Sequence, residues 1–334
     1  MKLLRKHLQP SESVILGSLA ILVGLSSGAG VWLFKWLIDR VDWLVFDQLG
    51  VTLLPLGRWS VMLLPILGGL VVGLLGHFFI GEERHHGVAG IMEAAALAGG
   101  RLRYKRIPIK TIAAAISIGS GASVGPEDPS VQLGSNLGSM FGQAVHLSDE
   151  RIRALVAAGA ASGIAAAFNA PIAGVFFALE IILGEITGSA LGIVVLSGVI
   201  SSVFTQAVAG PEPAFAIPAY AFNSAWELPL YLALGLLAGP VAALYIKSLY
   251  LAQDIYARWF KAPSWLKPAS AGLLVGLVGV FLPHIFGVGY ETIESILQGE
   301  NLGIALLLGL MAAAMSLVTG WPGLRRVIRL RKTV

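Results

Sequence analysis

Two carboxylates stand where a carboxylate is costly. Glu127 and Asp128 close the stretch Gly119-Ser120-Gly121-Ala122-Ser123-Val124-Gly125-Pro126, which lies between two apolar, helix-like segments. The glycines let backbone amides come close to a ligand. Asp128-Pro129 has the pattern of a helix N-cap followed by the first helical residue, opening a helix through Ser130, Gln132, Asn136 and Phe141. The N-terminus of such a helix carries unpaired amides and the positive end of the dipole, which together attract an anion. A glutamate beside it can take the anion's place, and protonating or displacing that glutamate would open the path. Spacing alone leaves a second reading, a polar turn between helices with both carboxylates in headgroup water. Other polar side chains that could do chemistry are His85 and His86, on a stretch that reads as a wet loop ahead of Gly87-Val88, and Glu180 and Glu185, after Phe176-Phe177. Two adjacent histidines without a defined third ligand do not make a metal site.

The elements that must hold these residues are membrane helices. Of the 334 residues, 56% are hydrophobic and 13% charged, too apolar for one soluble core. Long uncharged runs cover Val14 to Phe34, Val61 to Ile80, Ala154 to Leu179, Ile186 to Pro211, Leu228 to Ile246, Pro268 to Tyr290 and Leu302 to Leu324. About 18 to 20 such residues cross a bilayer as a helix, because in lipid each backbone amide must be paired internally. Lys2, Arg5 and Lys6 precede the first run, and Arg101, Arg103, Lys105, Arg106 and Lys110 cluster between later ones. Both groups are expected on the cytoplasmic side. The net charge of +4 then reports topology and calls for no nucleic acid. The chain has no cysteine, which removes disulfides and thiolate chemistry. No cofactor is expected, and no nucleophile and base pair points to an enzyme. The glycine-rich loop lacks the lysine and spacing of a nucleotide P-loop. Trp32, Trp36, Trp43, Trp59 and Trp265 read as interfacial anchors, and the alanines and glycines from Ala157 to Ala167 as a helix-packing surface.

The chain also repeats itself. Pro65, Gly69, Leu70, Gly73, Leu74 and Gly76 recur 203 positions later as Pro268, Gly272, Leu273, Gly276, Leu277 and Gly279. Gly87-Val88 with Glu93 is echoed by Gly287-Val288 with Glu294, and the segment from Ala113 to Ile118 by that from Ala312 to Leu317. Duplications of this kind, often inverted, build transporter folds with the site between the halves. The expected division is a first repeat over 1–210, a connection over 211–226 and a partial second repeat over 227–334. By its own period the second repeat should run about 75 residues past Val334.

The segment from Gly119 to Gln132 closely resembles the anion-site loop and helix of the CLC chloride channel and transporter family. Phe168-Asn169-Ala170-Pro171-Ile172-Ala173-Gly174, followed by Phe176, Phe177 and Glu180, is similar to that family's second strong signature, and His86-Gly87-Val88 with Met92-Glu93 to a variant of its first anion-binding loop. The resemblance implies an all-α polytopic membrane protein, an inverted-repeat helical bundle with helices broken at the midplane, its second repeat incomplete. It implies chloride as the transported partner, Glu127 as the gate, and His86, Gly87, Ser123, Gly125, Pro126 and Glu127 around the anion. It further implies a homodimer, and a location in the inner membrane of a prokaryote with the N-terminus cytoplasmic.

Several departures bear on mechanism. Pro126 replaces the family's usual arginine, Asp128 its glycine and Ala89 its proline. In coupled members a glutamate just after the position of Glu180 relays protons, and here that position holds Ile181. Channel-like permeation gated by voltage or protons is the first expectation, and proton-coupled exchange through Glu180 or Glu185 the alternative. The third anion-binding loop is absent; Trp321-Pro322-Gly323 stands where it should begin. A non-conducting fragment is therefore a further reading.

Overall fold

The computed structural model describes residues 12–53, 55, 57–81, 87–186, 188–215, 217–219 and 224–299, and no strand occurs among them. The basic start at Lys2, Arg5 and Lys6, the histidines His85 and His86, and the segment from 300 onward with Trp321-Pro322-Gly323 lie outside the described residues. The helices are α1 (Glu12–Asp42), α2 (Leu63–Leu75), α3 (Gly87–Leu97), α4 (Ile107–Gly119), α5 (Glu127–Ala144), α6 (Asp149–Phe168), α7 (Pro171–Phe177), α8 (Gly188–Ala209), α9 (Glu227–Trp259), α10 (Lys267–Gly279) and α11 (Tyr290–Leu297). Wider π-helical turns extend α1 through Trp43–Gly50, α2 through Gly76–Ile80 and α7 through Ala178–Leu183. Five described helical stretches are long and apolar enough to cross a membrane: Ser13–Leu53, Arg58–Ile80, Asp149–Phe168, Ala190–Ala209 and Glu227–Tyr256.

Two of the apolar runs are not single helices. The run from Ala154 to Leu179 breaks at Asn169, which takes the left-handed conformation (φ 55°, ψ 36°) and ends α6. Pro171 then starts α7, where its missing N–H costs nothing. The run from Pro268 to Tyr290 breaks after Gly279: a 3-10 turn forms at Pro283–Ile285, and Gly287 and Gly289 adopt φ of 77° and 80° before α11 begins. Proline cannot donate to a continuing helix, and both glycines occupy a region costly for other residues.

The chain forms two compact units, each assembled from separate segments: 1–37, 83–114 and 126–214 in one, and 38–82, 115–125 and 215–334 in the other. In the first, α6 is the central element. Ala157, Ala158, Ala160, Ala161 and Ala165 are wholly buried, against α5, α7 and α8. Small residues make this possible: a methyl group on Gly134 would stand 2.0 Å from the Gly159 carbonyl oxygen, and one on Gly159 would stand 2.0 Å from that of Gly134. Lipid gives helices no hydrophobic reason to associate, so such backbone approach and the bonds that accompany it carry the packing. Ser162 and Ser197 share a 2.7 Å hydroxyl contact between α6 and α8, and Ser201 Oγ donates to the Ser162 carbonyl at 2.8 Å.

In the second unit α2 packs against α10. The contact is reciprocal. A methyl on Gly69 would meet the Pro268 carbonyl oxygen at 2.4 Å, and one on Gly272 would meet that of Pro65 at 2.1 Å. These are the residues that match in sequence, arranged as a local two-fold would arrange them. Arg58 Nη2 donates to the Val280 carbonyl at 2.8 Å, and its guanidinium lies over Phe281. None of the most apolar stretch of α9 is buried, as expected for a helix whose surface the bilayer covers.

Trp32, Trp36, Trp43 and Trp59 are exposed. Trp265 is half-buried, with its carbonyl set 1.9 Å from where a Gly73 methyl would be.

Candidate functional site

The glycine-rich segment is a tight turn out of α4. The Gly121 amide donates to Ile118 and the Ala122 amide to Ser117, each at 3.0 Å, and Val124 donates to Ala122 at 2.9 Å. Gly121 has φ 100°, and a methyl there would press on Phe286 at 2.9 Å and Phe46 at 3.0 Å. Both its backbone and its surroundings therefore require glycine. Among the described residues, no carbonyl accepts from the amides of Ser123, Gly125 or Glu127.

Helix α5 begins two residues earlier than the Asp128-Pro129 pattern predicts. Pro126 is its N-cap (φ −81°, ψ 1°) and Glu127 its first residue. The Pro126 carbonyl accepts from the Ser130 amide at 3.1 Å and from Ser130 Oγ at 2.7 Å. Pro126 is buried, Glu127 half-buried and Asp128 exposed. Asp128 is thus not the cap of its own helix; its carboxylate is engaged elsewhere. Oδ1 accepts from the Val88 amide of α3 at 2.7 Å, and Oδ2 from Gln132 Nε2 at 2.7 Å.

The predicted site residues divide accordingly. Gly87, Pro126 and Glu127 fall in the first compact unit, where Gly87 lies against the Asp128 carboxylate. Ser123 and Gly125 belong to the other unit, the boundary falling at the Gly125–Pro126 bond. Glu180 and Ile181 lie on the π-helical turn after α7, both exposed, between the buried Leu179 and Ile182. That turn packs against α3 and α6. Glu185 is exposed just beyond it.

The second signature motif supports the helix framework. Asn169 Oδ1 accepts from Ser202 Oγ at 3.1 Å and Gln206 Nε2 at 3.0 Å, and Nδ2 donates to the Glu212 carbonyl at 3.1 Å. Asparagine tolerates the left-handed backbone better than most residues. Asn169→Gly is therefore expected to cost about 1–3 kcal/mol through three lost hydrogen bonds, and Asn169→Ala about 1 kcal/mol more through backbone strain. Thermal unfolding of the purified variants checks the order. Lys35, which the sequence did not single out, donates from Nζ to the Ala167 carbonyl at the end of α6, where a cation is favoured. Gln132 was likewise legible only as a helical residue. Its i,i+4 spacing from Asp128 was the available signal.

The sequence matches the voltage-gated chloride channel family over residues 68–324. It is 33% identical over 317 residues to a ClcB-like protein of Ralstonia nicotianae, covering 92% of this chain and 74% of that one. It is also 33% identical over 338 residues to chloride channel protein CLC-e of Arabidopsis thaliana, covering 94% of this chain and 46% of the plant protein. The chain spans about half the length of that relative. Among solved structures, a slow cyanobacterial Cl−/H+ antiporter has the same fold, with a TM-score of 0.78 at 22% identity over 91% of this chain and 73% of that one. With its apolar helices and this match over most of its length, the chain is an integral membrane protein of the voltage-gated chloride channel, or CLC, family.

Proposed function

We propose that the protein conducts chloride across the membrane in a channel-like manner, with Glu127 as the gate that voltage or protonation opens. The observation that carries this reading is the position of Glu127, half-buried at the first residue of α5, where its own amide has no carbonyl acceptor among the described residues. An anion and the Glu127 carboxylate would compete for the same positive helix end. His86, Gly87, Ser123, Gly125 and Pro126 complete the proposed anion surroundings. Ile181 cannot carry a proton, which favours uncoupled conduction. The related ClcB-like and CLC-e proteins support a chloride-moving role.

Proton-coupled exchange is the second reading. It draws on Glu180, a carboxylate on a π-helical turn, the kind of helical irregularity that recurs at functional sites, and on the antiporter fold neighbour. In either case the repeats are taken as 1–210 and 227–334 joined by 211–226, the reciprocal α2 and α10 contact being what supports them. The working assembly is a homodimer in a prokaryotic inner membrane with its N-terminus in the cytoplasm.

The test is chloride efflux from chloride-loaded liposomes holding the full chain, with potassium shunted by an ionophore. Efflux above that of protein-free liposomes, without stoichiometric proton uptake, is expected. Proton uptake in fixed ratio to chloride would overturn the channel reading in favour of exchange, and no efflux at all would overturn transport.

A further inference from the structure

Asp128 is the one carboxylate of the signature loop whose place in the fold neither gating nor capping of its own helix explains. Its two oxygens are engaged by different helices. Oδ1 takes the Val88 amide, in the first turn of α3, and Oδ2 takes Gln132 Nε2, one turn along α5. Gly87, which opens α3 with φ 71°, is shaped to this carboxylate: a methyl there would lie 2.8 Å from Oδ1 and 3.1 Å from Oδ2. The N-terminus of α3 therefore already holds an anion, and the protein supplies it.

We propose that Asp128 is a built-in competitor that occupies the α3 N-terminus and thereby lowers the protein's affinity for the anion it moves, an inference that rests on the transport reading. The physical argument is the same one that makes a helix end attractive to anions. The attraction comes from a partial positive charge of about half a unit. A carboxylate bonded to it through Val88 takes up that attraction and stands where a second anion would bind. The charge also sits next in sequence to Glu127, at the start of α5, so an anion approaching that turn meets two carboxylates and the amides of one helix start rather than two. Asp128 acts through the field and through the helix it caps, so it is a specificity-determining and positioning residue.

Charge and cap can be separated by substitution. Asp128→Asn keeps an Oδ1 acceptor for Val88 and fits against Gly87, and Gln132 can turn its amide to offer Oε1 to the new NH2 group. The charge is lost while both of these bonds are kept. Asp128→Glu keeps the charge but is one methylene too long for the Gly87 contact.

The experiment measures efflux from liposomes at a series of internal chloride concentrations for the wild type and both variants, with thermal unfolding of each in detergent. Asp128→Asn is expected to lower the half-saturating chloride about two- to fivefold, the range that a charge at an exposed helix end supports, with unfolding temperature unchanged. Asp128→Glu should keep the wild-type half-saturation while unfolding at lower temperature. Equal half-saturation in the wild type and Asp128→Asn, with efflux intact in both, overturns this inference alone and leaves Asp128 a structural cap. An affinity change that follows loss of stability in both variants overturns it too. A wild type that releases no chloride removes the transport reading and this inference with it.

Discussion

Glu127→Gln is expected to raise chloride efflux from loaded liposomes at neutral pH at least about tenfold. Glutamine keeps the length and shape of glutamate, so Glu127 can be replaced at the first residue of α5 without disturbing the bonds from Ser130 to the Pro126 carbonyl. What disappears is the charge. Two unit charges about 5 Å apart in an effective dielectric near 20 repel by about 3 kcal/mol, and salt screening leaves only part of that at a half-exposed site. The surviving part sets the size of the effect. On the proposed gating reading, the wild-type carboxylate competes with chloride for the positive end of α5. In Glu127→Gln that competitor is neutral. Glu150→Gln, on the exposed first turn of α6, is the control and should behave as wild type. A Glu127→Gln protein with wild-type flux would falsify the gate.

The parts of this architecture legible in the sequence were those written in local spacing. Glycine density before Glu127 announced a break between two helices, and the α4 exit is a tight turn. The recurrence of Pro65, Gly69 and Gly73 as Pro268, Gly272 and Gly276 announced a duplication, and the structure places matching glycines and proline carbonyls against each other in reciprocal contact. The alanines of α6 were read as packing residues because nothing else suits so small an apolar side chain. What stayed hidden depends on distant partners or on a single backbone angle. Asp128 reads as an N-cap by its neighbours, yet one of its partners, Val88, lies 40 residues earlier, and no spacing rule reaches that far. Asn169 is one polar residue in an apolar run, and its left-handed conformation is enforced by Ser202, Gln206 and Glu212 across the fold. The break after Gly279 was different. Pro283, Gly287 and Gly289 were visible signals, but hydropathy averaged over the run conceals them.

Gly159→Ala should unfold the first compact unit far more readily than any surface change, although it adds only one methyl group. The reason is the α5 and α6 contact. The added carbon would stand 2.0 Å from the Gly134 carbonyl oxygen, 2.4 Å from its carbon and 2.9 Å from the Ser135 nitrogen, all backbone atoms that cannot rotate away. Restoring ordinary contact needs the helices to separate by roughly 1.5 Å. They cannot do so at that point alone, because the same close approach recurs along the seam: a methyl on Gly138 would stand 2.0 Å from the Leu155 carbonyl oxygen and one on Gly163 2.4 Å from that of Ser130. The Ser130 end carries the first turn of α5 and hence Glu127, so opening the seam displaces the proposed gate as well. Overpacking of this kind costs about 3 kcal/mol or more, a fall of about 6 °C or more in unfolding temperature for a chain of this size. Gly192→Ala supplies the contrast. That glycine lies on α8 with no atom within 4 Å of the added carbon, so only helix propensity acts, favouring alanine by about 1 kcal/mol. The same chemical change is thus expected to have opposite signs on two helices of one unit. Equal unfolding temperatures for the two variants would mean that the close approach of α5 and α6 does not hold this unit together.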